Sequence, residues 1–180
     1  MRWLAYFILA YCAIAVQSGA GVYMAYKGAA PNLVLLAVIF IAINAPRDAA
    51  LLAGFCTGAM WDLLTQQPLG LYALGFGLVA LFVAGTQSVV YREHPLTHFS
   101  MALVGGLLVA FLLMLHALFR SPEIVRTVQN ADGLPTPRVS LLPPFLSAAY
   151  TAVLAPFALA ALRRVRGVFA FEAPRRRMTF

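Results

Sequence analysis

The sequence is short of charge. Of its 180 residues only 11% are charged, 13 basic and 6 acidic, against about 25% in an ordinary soluble domain. It has two cysteines, Cys12 and Cys56, both inside apolar runs. They make no disulfide framework and no metal-ligand spacing, and read as small buried apolar residues. No G-x-x-x-x-G-K-[ST] loop is present, which excludes a P-loop ATPase at motif level. No nucleophile–base pair and no paired carboxylates stand out. What is abundant is apolar: 62% of residues are hydrophobic and the mean hydropathy is +0.85. A small domain exposes much of its surface, so such a chain reads neither as a water-soluble enzyme nor as a disordered one. It reads as one polytopic, all-α membrane domain over residues 1–180.

A bilayer core of about 30 Å takes about 20 helical residues. Apolar runs predict six spans, at about 3–26, 32–45, 49–64, 70–90, 99–119 and 143–162, followed by a basic tail over 163–180. A signal peptide competes for the first run, since Arg2 precedes it and Ser18–Gly21 are small. The run resumes through Val22 and Tyr26, which favours a span. The second and third runs are short, and Pro46 between them predicts a hairpin of two helices. Tyr91–His98 is expected to be a polar connection, and Pro156 to kink the last span. Arg120–Leu142 is the long polar loop.

Six spans put both termini on one side, and the distribution of basic residues says which. With a cytoplasmic N-terminus, Arg2, Arg47, Arg92, Arg163, Arg164, Arg166, Arg175, Arg176 and Arg177 lie inside, and Lys27, Arg120, Arg126 and Arg138 outside. Both termini are therefore expected in the cytoplasm. The arginines of the tail are expected to meet anionic lipid headgroups, at about 1 kcal/mol each near the surface. Nucleic acid is not an expected partner, because the tail follows directly on a span.

Asp62 is the most informative residue, a carboxylate near the end of the third run. At a span centre it costs about 2.5–3.5 kcal/mol on insertion scales, and such residues usually have a partner or a wet cavity. Arg47 is about 22 Å away along a helix, which leaves Lys27, Arg120, Arg126 and Arg138. Asp62 reads as an anchor for packing or a partner contact, with a helix end meeting water as the alternative. Gly54, Gly58 and Asp62 recur every four residues and share a helix face, a small-residue stripe that reads first as close packing against another helix of the same chain, with contact to a different protein as the alternative. Ala73 with Gly77, and Gly105 with Gly106, offer similar surfaces. His116 reads as making one interhelical hydrogen bond. His94 and His98 lack a third ligand, so no metal and no cofactor are expected.

Pro31-Asn32-Leu-Val-Leu-Leu, then Pro46-Arg47, then Gly54-x-x-x-Gly58-x-x-x-Asp62-Leu, then Gly70-Leu-Tyr-Ala-Leu resemble the rod shape-determining MreD family. The motif covers about Pro31 to Leu74, and the long loop shows no recognisable match. The resemblance implies a non-enzymatic inner-membrane component of the elongation machinery. It implies MreC as the nearest partner, with MreB, RodA and a class B penicillin-binding protein further out. It also implies a fold similar to the substrate-binding subunits of energy-coupling-factor transporters. Pro31, Asn32, Arg47, Gly54, Gly58, Asp62 and Gly70 become the candidates for partner binding or helix packing.

Two function classes follow. In the first, the glycine stripe and Asp62 shape a scaffold surface for a partner's transmembrane helix. In the second, the chain is a vitamin-binding transporter subunit, with Asp62, Gln66, Gln67 and the long loop lining an outward pocket. A proton-coupled permease would need a chain of intramembrane acids, which Asp62 alone does not make.

Overall fold

The computed structural model describes residues 3–26, 29–65, 68–86, 95–120 and 142–169. Among them the regular structure is helical throughout. In chain order the helices are α1 (Trp3–Met24), α2 (Leu33–Asn44), α3 (Arg47–Leu64), α4 (Leu71–Thr86), α5 (Pro95–Arg120) and α6 (Leu142–Phe169). Three of them, α1, α5 and α6, are long and apolar enough to cross a bilayer.

The bundle is organised around α2. Its sequence, LVLLAVIFIAIN, is apolar on every face, and a helix of that kind belongs inside. Every residue from Val34 to Asn44 is buried, and α2 touches all five other described helices. At 12 residues it is about 18 Å long, short of the hydrocarbon thickness. The walls around it shelter its ends from lipid. Its N-terminus is capped by Asn32, whose Oδ1 accepts from the Leu35 amide at 2.9 Å. Pro46 follows its C-cap and serves as the N-cap of α3, so the hairpin turn falls where the sequence puts it.

Helices α3 and α4 form the tightest neighbouring pair, and α5 and α6 pack as a second pair. Tyr6 reaches from α1 into α3, where its hydroxyl meets the Ala53 carbonyl and the Thr57 hydroxyl. Thr57 also donates to Ala53 O within its own helix, at 2.8 Å. Both side chains are almost wholly buried, so the pair closes its own polar groups inside an apolar interface.

Several boundaries differ from the sequence reading. Helix α5 starts at Pro95, a residue favoured in a first turn because it has no amide to satisfy. Thr97 and His98 are therefore helical, and His98 is buried. Helix α6 runs through Pro156 and on to Phe169, so Arg163, Arg164 and Arg166 lie on a helix and not in a tail. Arg175, Arg176 and Arg177 lie outside the described residues. Cys12 is exposed on α1 and Cys56 is half-buried, which corrects the reading of both as buried. Outward-facing α1 makes this unremarkable in an apolar solvent.

Candidate functional site

Asp62 sits in the last turn of α3 and is 2% exposed. Its carboxylate reaches across the hairpin to the beginning of α4. Oδ2 accepts from the Gly70 and Ala73 amides, each at 3.0 Å, and Oδ1 from the Tyr72 amide at 3.0 Å. The amide between them, Leu71, donates to Pro68 O at 3.3 Å. The opening amides of a helix have no partner within it. Here all of them are satisfied before Leu74 begins the ladder onto Gly70 O, at 2.9 Å. The positive end of the helix also favours a negative charge. A buried carboxylate normally destabilises a fold unless its oxygens are bonded, and both oxygens are.

Gly70 makes this geometry possible. Its φ is +98°, a conformation that residues with a Cβ resist. The turn sends its amide back toward Asp62. The spacing from Asp62 to Gly70 is thus set by a turn in which α4 starts against the end of α3.

The stripe on α3 faces the same partner. A Cβ on Gly54 would come 2.6 Å from Phe76 O and 2.7 Å from the Ala80 Cβ. On Gly58 it would lie 2.5 Å from the Ala73 Cα and would strike the Tyr72 carbonyl. These are backbone contacts that cannot swing aside. The face bearing Gly54, Gly58 and Asp62 is filled by α4, a helix of the same chain, which leaves no room there for a partner's helix. Gly105 and Gly106 on α5 approach Val79 and Ala148. Gly77 makes only ordinary contacts.

Pro31 and Asn32 lie at a second polar junction, where the connection into α2 meets α1 and α6. The Ala30 amide donates to Ser147 Oγ at 3.2 Å. The Asn32 amide donates to Thr151 Oγ1 at 2.9 Å, and the Leu33 amide to Gln17 Oε1 at 2.6 Å. Proline at 31 has no amide to place. Gln17, with Ser18, interrupts the first apolar run and is visible as such in the sequence. Ser147 and Thr151 give no such sign, because short hydroxyl side chains in helices commonly bond their own backbone; Thr151 does so as well, donating to Ser147 O at 2.7 Å.

Between these junctions is a cavity of about 310 Å³. Gln17, Asn32, Ser147 and Thr151 form its polar wall. Leu35, Val109 and Leu113 are apolar, and Trp61 and Tyr72 also border it, their rings edge-on at 6.5 Å. Asp62 is not part of the lining. Gln66, Gln67 and the loop over 121–141 lie outside the described residues, as do Lys27, Arg126 and Arg138.

Arg47 opens α3 and is exposed. It lies at the end of the helix opposite Asp62, and the two are not brought together. Arg163 is half-buried and Arg164 exposed. Among the described residues the His116 Nε2 is buried without a hydrogen-bond partner, so the interhelical bond expected of His116 is not made through that atom. Both ring nitrogens of His98 are likewise unpartnered among the described residues. Among the described residues no group of His, Cys, Asp and Glu is arranged to hold a metal ion.

A family model described as "rod shape-determining protein MreD" matches residues 1–165. No curated protein and no solved structure matches the chain. The match takes in both junctions and all six described helices except the end of α6. This chain, a non-enzymatic shape-determining membrane protein, belongs to the MreD family.

Proposed function

We propose that the protein is an inner-membrane scaffold of the bacterial elongation complex that binds MreC, and through it serves MreB, RodA and a class B penicillin-binding protein. The observation that carries this reading is the family match over residues 1–165. All six helices cross the membrane, and both termini face the cytoplasm, as the basic residues favour. Arg163, Arg164 and Arg166, together with Arg175, Arg176 and Arg177, meet anionic headgroups there. Asp62 and the glycines serve the scaffold by fixing α3 on α4. The partner surface lies elsewhere, on outward faces such as that of α1, where Leu4, Phe7, Ile8 and Tyr11 are exposed.

Depletion of the protein in a rod-shaped host is expected to round the cells, and affinity purification in detergent to recover MreC. Unchanged cell shape together with no recovery of MreC would overturn the scaffold. A reporter fused after Phe180 should be active only in the cytoplasm.

The cavity favours a second reading, that of a ligand-binding subunit like those of energy-coupling-factor transporters. Its volume of about 310 Å³ is at the low end of small-molecule sites. Tight binding of a vitamin by the purified protein, with no effect of depletion on shape, is the outcome that separates this reading from the scaffold.

A further inference from the structure

We infer that the cavity between α1, α2, α5 and α6 selects an uncharged small molecule bearing hydrogen-bond acceptors. The inference rests on the second reading above, that the cavity takes a ligand, and adds the chemical class of that ligand. It comes from which valences of the polar wall are already committed. Gln17 Oε1 accepts from the Leu33 amide, and Asn32 Oδ1 from the Leu35 amide. Since only the oxygen of a side-chain amide can accept, both orientations are fixed. Ser147 Oγ accepts from the Ala30 amide. Thr151 accepts from the Asn32 amide and donates to Ser147 O.

The backbone has therefore taken one of the two lone pairs on each of the Gln17 and Asn32 oxygens. What those two side chains still offer is mostly N–H, two on each amide against one remaining lone pair, and Ser147 adds its O–H. The Gln17 Nε2 lies over Gly21, where a Cβ would stand 3.1 Å from it, so glycine there leaves room for the amide. Among the described residues the lining includes none that is charged. A carboxylate or ammonium guest would meet no counter-charge among them, which is strongly unfavourable away from water. A carbonyl or hydroxyl oxygen would meet donors. The remaining wall, with Leu35, Val109, Leu113 and the Trp61 and Tyr72 rings, suits a flat apolar body.

Three probes of nearly one shape test this: benzamide, benzoate and benzamidinium, which are neutral, anionic and cationic at neutral pH. Binding to the purified full chain in detergent is read by ligand-observed NMR. Benzamide is expected to bind with a Kd of about 1 mM, a magnitude within reach of so small a ligand, and both ions at least about tenfold more weakly (about 1.4 kcal/mol). Gln17→Glu keeps the oxygen that holds the Leu33 amide and removes the N–H groups. It should reverse the order, so that benzamidinium binds best. Asn32→Asp does the same on the other side and keeps the helix cap. Equal binding of all three probes, absence of benzamide binding, or an unchanged order in both variants would overturn the inference. Uptake of benzamide by the isolated chain but not by its complex with MreC would make the cavity a partner socket, and would overturn it too. None of these results bears on whether depletion rounds cells, so the scaffold reading stands or falls separately.

Discussion

The Gly70 amide donates to the Asp62 carboxylate across 3.0 Å, from a backbone whose φ of +98° aims it there. One residue supplies the charge and the other the turn. Together they start α4 against the end of α3, with every opening amide of α4 satisfied. The acid in the middle of an apolar chain is thus a helix cap provided by the preceding helix.

Asp62→Ala should be the most damaging single change among these residues. It leaves three buried or part-buried amides without acceptors, at about 1–3 kcal/mol each, although water reaching the helix end will reduce the sum. Asp62→Asn keeps one acceptor oxygen and should lose less. Thermal unfolding in detergent should rank the wild type above Asp62→Asn and Asp62→Ala last. Equal stability of all three would mean that the cap is not formed.

Gly58→Ala should cost about 1–3 kcal/mol, the usual penalty of overpacking, because the new Cβ meets the backbone of Tyr72 and Ala73. Gly54→Ala should behave alike. Gly77→Ala, whose nearest neighbours are at 3.8 Å or beyond, is the control and should be nearly neutral. Unfolding midpoints that do not separate Gly58→Ala from Gly77→Ala would refute the close contact of α3 and α4.

Gly70→Ala tests conformation without crowding, since nothing lies within 4 Å of its Cβ position. The left-handed backbone should make the variant less stable by about 1–2 kcal/mol. Gly85→Ala, also in open space but inside a helix, should be neutral or slightly stabilising by about 1 kcal/mol. The same unfolding assay reads both.

Thr151→Val keeps the shape of the side chain and removes the oxygen that holds the Asn32 amide. A loss of about 1–3 kcal/mol is expected. Hydrogen exchange should quicken at Asn32 and leave the middle of α2 protected. Exchange at Asn32 as slow as in the wild type would show that α6 does not hold the entry to α2.

The sequence by itself determined a good deal. Scarce charge and long apolar runs could only mean helices in a membrane, because lipid leaves no partner for an open backbone. The breaks at Pro46 and Pro68 were legible because proline acts locally, while the positive φ of Gly70, read as the start of a span, was not. The four-residue spacing of Gly54, Gly58 and Asp62 was equally local, a matter of helix period. What faces that stripe was not. Only the tertiary structure decided that α4 fills it, that Asp62 holds the opening amides of α4, and that α2 is a central helix sheltered by its neighbours. The same holds for the junction of Gln17, Ser147 and Thr151. They stand 16, 117 and 119 residues from the amides they hold, and a single apolar sequence carries no signal for contacts at such distance. Packing brings them together, and the demand that buried amides be bonded makes the arrangement specific.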